Sequence, residues 1–242
     1  SIASIRLSGN MITGSSEKRY KGSGDWDYDS DLSGIIALGE AAAVSKTLTS
    51  IDLSKCGIAA VGIAEVARFM SANASIVEIV LDLCPLTGAT AKYGDATKYG
   101  WENIDSQMEG FVALCAVLGK LQKISIANCG LGAASASELA KAVSSADASI
   151  ATLVLSQNDA ITGKRSRDND GQAPWIYGEE MEGWTALCSA LPDTMISMDF
   201  SGCQLQPKSL APLNAAISKM ASIARISVLS NPIGVEGANA LI

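Results

Sequence analysis

Seven stretches of this chain fall into one register. They read IASIRLSGN from Ile2, LTSIDLSKC from Leu48, IVEIVLDLC from Ile76, LQKISIANC from Leu121, IATLVLSQN from Ile150, MISMDFSGC from Met195 and IARISVLSN from Ile223. Each follows one template: apolar, two residues, apolar, one residue, apolar, two residues, then Asn or Cys. A single match would carry no weight, but seven make internal repetition the strongest constraint on the fold. Apolar residues two apart, such as Ile5 and Leu7, share one face of a strand. Segments rich in Ala and Leu with helical spacing follow, among them GIAEVARFM (62–70), GFVALCAVL (110–118) and SELAKAVSS (137–145). One strand–helix unit cannot bury its own apolar face, whereas stacked units can.

The starts lie 46, 28, 45, 29, 45 and 28 residues apart, so short units alternate with long ones. The template L-x-x-L-x-L-x-x-N/C and the 28-residue spacing resemble the leucine-rich repeats of the ribonuclease-inhibitor class. The resemblance covers essentially the whole chain and departs from that class in the extra residues of alternate repeats. It implies an α/β fold: a single solenoid domain over residues 1–242, curved as a horseshoe of about seven repeats. A parallel β-sheet would line its concave face and helices its convex face. Strands are expected to start near 2, 48, 76, 121, 150, 195 and 223, with inserts near 15–33, 89–109 and 164–182. The resemblance also implies an internal ladder in which the Asn/Cys side chain of each repeat bonds the backbone of its neighbours. Here that ladder would be Asn10, Cys56, Cys84, Cys129, Asn158, Cys203 and Asn231.

Composition narrows the function. The net charge is −7, which argues against nucleic acid as the partner, since that binding needs a basic footprint. There is no histidine, which removes His-based triads and His metal ligands. No run approaches the roughly 20 apolar residues that span a bilayer, so membrane insertion is not expected. Aromatic residues make up only 5% of the chain, so the core must be built from Ala, Ile, Leu and Val. None of the six cysteines forms a C-x-x-C pair, and zinc or redox motifs are unsupported. Four belong to the ladder; Cys115 and Cys188 are expected on inner helix faces. Six reduced thiols would suit a cytoplasmic, intracellular setting. The Asn73-Ala-Ser75 sequon aligns with DASI (147–150) and MASI (220–223) and reads as the repeated turn before a strand.

The inserts follow ITG (12–14), LTG (86–88) and ITG (161–163). Each carries a Trp (Trp26, Trp101, Trp175) eight or nine residues before a Gly that opens a helix, and acidic residues just before that Gly. The Trp residues are expected to pack on their own stems. Asp29 and Asp31, matched by Asp105 and Gln107 and by Glu179 and Glu180, are expected to cap the helix that follows. Counted from Asp25 as an EF-hand loop, the sixth and twelfth positions hold Ser30 and Ile36 rather than Gly and Glu. No metal site or other cofactor is therefore assigned, and the roles of Asp25 and Asp27 stay open.

All five tyrosines fall in or beside the inserts, and the tip windows 15–25, 89–100 and 164–174 hold eight Lys/Arg against five Asp/Glu. Tyr and Arg are enriched at interface hot spots. The candidate partner contacts are Arg19, Tyr20, Lys21, Tyr93, Lys98, Tyr99, Arg165, Arg167 and Tyr177. The outward strand positions, from Ser4 and Arg6 to Arg225 and Ser227, are short and mixed, without an aromatic, and rank second. No phosphate loop or nucleophile elbow appears, so no catalytic residue is assigned. The reading is a non-catalytic scaffold binding protein partners through the edge ridge of inserts and the concave face. The alternative is a structural segment of a longer solenoid or multi-subunit assembly, with further repeats or other subunits covering the open ends.

Overall fold

The computed structural model describes residues 2–17, 26–145, 148–165 and 175–240. The first long repeat runs from β1 (Ser4–Arg6) through a hairpin of β2 (Ser16–Glu17) and β3 (Trp26–Asp27) to helix α1 (Ser33–Val44). A short repeat follows, β4 (Ser50–Asp52) and α2 (Gly62–Ala72). The second long repeat has β5 (Glu78–Val80), a hairpin of β6 (Thr90–Ala91) and β7 (Trp101–Glu102) with the short helix α3 (Ala96–Tyr99) between them, and α4 (Glu109–Leu118). Then come β8 (Lys123–Ser125) and α5 (Ala133–Val143). The third long repeat is β9 (Thr152–Val154), the hairpin β10 (Gly163–Arg165) and β11 (Trp175–Tyr177), and α6 (Glu182–Ala190). The chain closes with β12 (Ser197–Asp199), α7 (Leu210–Ile217), β13 (Arg225–Ser227) and α8 (Gly234–Ala240).

Seven strands form one parallel sheet in the order β1-β4-β5-β8-β9-β12-β13. The register places Ile5, Ile51, Ile79, Ile124, Leu153, Met198 and Ile226 in one column. The five inner members of that column are fully buried, as are Leu53, Leu81, Ile126, Leu155 and Phe200 two residues further on. The template's alternation thus becomes two apolar rows packed under the helices, each of which contacts the next along the solenoid. The core is aliphatic apart from a few rings. Trp184 and Phe200 meet edge to face at 5.1 Å, and Trp184 Nε1 donates to the Ser209 carbonyl at 2.8 Å. Burying an indole requires such a partner.

Close approach of the helices is set by glycine at two helix starts. A Cβ on Gly110 would lie 2.0 Å from the Ala60 carbonyl oxygen, and one on Gly183 would lie 2.0 Å from that of Ala133. Side-chain hydrogen bonds tie each turn to the one before. The thiols of Cys56, Cys84, Cys129 and Cys203 donate to the carbonyls of Leu7, Leu53, Leu81 and Leu155 at 3.0–3.4 Å. Asn158 Nδ2 donates to Ile126 and Leu155 at 2.9 Å, while its Oδ1 accepts from the amides of Cys129 and Leu131. Asn231 repeats this on Phe200, Val228 and Leu205. Asn10, with no described turn before it, bonds the Leu7 and Ser8 carbonyls of its own repeat. All six cysteines are buried and unpaired. Asn73 is buried too, donating to Ala42 at 2.5 Å and Ser45 at 2.9 Å across the turn. Among the described residues no helix is long and apolar enough to cross a membrane.

Candidate functional site

The inserts are hairpins between strand and helix, with β2/β3, β6/β7 and β10/β11 paired antiparallel. Their stems are two or three residues long, too short to cover an indole. Trp26 therefore does not close on its own stem. It stacks on Tyr28, with ring centroids 5.8 Å apart, and its Nε1 donates to the Gly94 carbonyl of the second hairpin at 3.0 Å. Trp101 likewise reaches the next repeat, where its Nε1 donates to Asn128 Oδ1 at 2.8 Å and its ring covers Gly130. The expectation of stem packing is corrected: each of these tryptophans fastens a hairpin to its neighbour. Trp175 pairs with Arg165 in β11/β10, and its side chain lies outside the described residues.

The acidic residues also act across repeats. Asp29 has a left-handed backbone (φ 55°), which aspartate tolerates. Its carboxylate accepts from the amides of Ala59, Val61 and Gly62 at 2.7–3.1 Å, at the start of α2 rather than α1. Asp105 (φ 56°) accepts from Gly132, Ala134 and Ser135 at the start of α5. In the third insert the equivalent left-handed residue is Gly178 (φ 75°), and a Cβ there would meet Lys208 and Gln206. The next helical turn is closed instead by the mutual bonding of Gln206 and Ser209, with Pro207 at its start. Glu179 forms an exposed ion pair with Lys208 at 3.3 Å. Asp31 does serve its own repeat, accepting from the Ser33 amide at 2.9 Å, and this hydrogen bonding lowers its carboxyl's pKa. The expectation that both aspartates of the first insert cap α1 is thus corrected for Asp29. Asp29 and Asp31 are thus both committed to backbone amides, and Asp25 lies outside the described residues.

The second hairpin presents the exposed surface. Tyr93 is 70% exposed and Tyr99 45%, and their rings meet edge to face at 5.3 Å. Lys92 lies over the Tyr93 ring at 5.5 Å and Lys98 over Tyr99 at 4.9 Å. Tyr93 holds a left-handed backbone (φ 50°), which is uncommon for a bulky residue. Asp95 caps α3 by accepting from Thr97 and Lys98, and those hydrogen bonds with the nearby Lys98 charge hold its carboxyl below the usual range. Of the other sequence candidates, Tyr177 is only half-buried, and burial together with the Asp159 charge pushes its phenol up. Arg165 lies in β10, its side chain undescribed; Arg19, Tyr20, Lys21 and Arg167 lie outside the described residues. The structure thus brings together Tyr93, Lys98 and Tyr99.

Sequence reasoning missed what lies between the first two hairpins: a cleft of about 220 Å³ bounded by Met11, Trp26, Tyr28, Leu83, Pro85 and Trp101. Burial pushes the Tyr28 phenol up to about 12. The WDY triplet at 26–28 was the available signal. On the sheet face, carboxylates are engaged by neighbouring groups: Asp82 accepts from Ser125 Oγ at 2.7 Å and the Ala127 amide, and Asp199 from Ser201. No three of His, Cys, Asp or Glu among the described residues are grouped to hold a metal.

A family model described as Leucine Rich repeat matches residues 44–67, the second repeat's strand and the turn into its helix. No curated protein matches the chain in sequence. Among solved structures, a crystal structure of the TLR13–ssRNA13 complex aligns over 77% of this chain at 15% identity, with a TM-score of 0.41. The chain spans 26% of that chain's length.

Proposed function

We propose that this leucine-rich-repeat protein is a non-catalytic scaffold that binds a protein partner through the ridge of its insert hairpins. The exposed Tyr93–Tyr99 pair, flanked by Lys92 and Lys98, carries the reading. The two rings meet edge to face on the exposed side of the hairpin, away from the buried core. Aromatic rings bearing cations are what interface anchors are made of. The hairpin that bears them is fixed, through Trp26 on one side and Trp101 on the other, so little ordering entropy is lost on binding. Arg19, Tyr20, Lys21, Arg165, Arg167 and Tyr177 belong to the same proposed ridge on the strength of sequence position. The sheet face is the weaker candidate: it lacks aromatic anchors, and Asp82 and Asp199 there are hydrogen-bonded. Six buried, unpaired thiols support a reducing, cytoplasmic setting.

The test is affinity capture with the intact chain and with a Tyr93→Ser/Lys98→Ser/Tyr99→Ser variant shown to be folded by circular dichroism. Loss of a captured protein from the variant is the expected result. Retention of the same protein would move the site off the second hairpin, and capture of further copies of this chain alone would favour a structural array.

A further inference from the structure

We propose that Asn73, in the one N-glycosylation sequon of these 242 residues, is a modification site that the fold excludes: the chain reaches this structure only where no sugar is transferred to it. Every polar group of Asn73 is already engaged. The residue closes α2, its own amide donating to the Phe69 carbonyl at 3.0 Å. Nδ2 donates one hydrogen to the Ala42 carbonyl at 2.5 Å and the other to that of Ser45 at 2.9 Å. Oδ1 accepts from the Ser75 amide at 2.7 Å. The backbone carbonyl faces Lys120 Nζ of the following repeat at 3.4 Å. Ala42 and Ser45 stand at the end of α1, where a helix runs out of its own donors. Asn73 therefore ties the C-terminal ends of α1 and α2 together. It is 2% exposed, and the matching residue of the last short repeat, where MASI replaces NASI, is the buried Met220. The position points inward in both repeats. One fills it with hydrocarbon, the other with an amide that finds all its partners.

Transfer of an N-glycan from a diphosphate-linked sugar donor forms a bond between Nδ2 and the sugar's anomeric carbon. It breaks that carbon's bond to the diphosphate and releases one Nδ2 hydrogen as a proton. One of the two α1 carbonyls then loses its donor, and a buried carbonyl without a partner destabilises the fold. The sugar itself is larger than the side chain that carries it and polar on all sides, so it must reach water by parting α1 from α2. Those helices leave no such room: a Cβ on Gly39 of α1 would lie 3.0 Å from the Phe69 ring of α2. In the unfolded chain the same amide is open. A chain that meets the transferase before its second repeat stacks on its first is therefore trapped unfolded. The buried, unpaired cysteines point independently to a reducing compartment.

Cys56 and Cys84 flank Asn73, so three segments joined by thioester ligation at those cysteines rebuild the full chain with its sequence unchanged. One product carries plain Asn73, and a second carries N-acetylglucosamine on Asn73. A third carries the same sugar on an asparagine introduced by Ser71→Asn, an exposed position on the same segment. Each is refolded from urea and followed by circular dichroism. The expected result is that the first and third fold with closely similar urea midpoints. The second should fail to refold, or show a midpoint lower by about 1 M or more. Equal midpoints for the two sugar-bearing chains, whether high or low, overturn the proposal. A second arm sends the intact chain through the secretory route of a eukaryotic cell behind a cleavable leader, with the mass at residue 73 measured on the folded fraction. That fraction should be free of sugar, any sugar-bearing chains being unfolded. A folded, sugar-bearing fraction with the urea midpoint of the unmodified chain overturns the proposal as well.

Discussion

Asp29 and Asp105 each accept backbone amides from a helix about 30 residues away, with three such donors apiece. A helix start leaves amides without partners, and a carboxylate there also complements the helix dipole. Replacing either by Ala should cost about 1–2 kcal/mol, read as a lower urea midpoint. A midpoint unchanged in both variants would show that water serves these amides equally well. Gly178→Asp should not stabilise the third insert, because its side chain would run into Lys208 and Gln206. The buried thiols make a second residue-scale prediction. Burial raises Cys84 and Cys203 from 9.0 to about 12. In the unfolded chain these thiols ionise near 9.0, so below that pH both states hold the same protons. As pH climbs from 9 toward 12 the unfolded state sheds protons that the folded state keeps, and stability falls. Tyr28, raised from 10.0 to about 12, adds to the fall above pH 10. Urea midpoints at pH 8, 9 and 10 should decline across that series. A thiol-reactive dye at pH 8 should label none of the six cysteines until the chain is unfolded.

At the scale of the element, strand positions were legible because the template repeats seven times and a strand has only one apolar period to obey. The residues that form β1, β4 and β5 sit at the same template positions, and so do those of the other four sheet strands. The hairpins were legible as inserts, and Tyr93, Lys98 and Tyr99 as a surface, because nothing in the repeat needs them. What each insert touches was not. Trp26 and Asp29 act on groups 68 and about 30 residues away; strands that step by about 4.8 Å bring the next repeat within reach of Asp29, while Trp26 meets the hairpin two steps on, past the β4 repeat. Reading each insert by itself assigns such residues to their own stem or helix. A trace of the truth was there: Asp29, Asp105 and Gly178 all stand five residues before the helix-opening glycine, and all three are types that accept a left-handed backbone. Helix spacing gives a prediction at this scale. Gly110→Ala places a methyl group against the Ala60 carbonyl, so α4 must move off α2. The expected cost is about 1–3 kcal/mol, whereas an exposed alanine substitution on α4, such as Val112→Ala, should change the urea midpoint far less.

Across the whole molecule the hydrogen-bond ladder runs through the centre of the stack, and its rungs are unequal. A cysteine rung is one weak S–H donor on one carbonyl. Asn158 makes four bonds, two as donor and two as acceptor, within its own turn of the solenoid and to the turn before it. It is fully buried, so its replacement strands two carbonyls and two amides away from water. Each such group costs about 1–3 kcal/mol when unsatisfied, and Asn158→Ala should therefore destabilise the chain by about 3 kcal/mol or more. Cys129→Ala, which removes one thiol rung and leaves a small void, should cost less. Stacked repeats interact only with their neighbours, so a weakened interface localises the damage. Hydrogen exchange tells a local loss from a global one. The expected result for Asn158→Ala is faster exchange in β8, β9 and the turns on either side, with β4 and β5 keeping the protection they have in the parent chain. If every strand speeds up by the same factor, the seven repeats unfold as one unit, and the rung's position along the stack carries no meaning of its own.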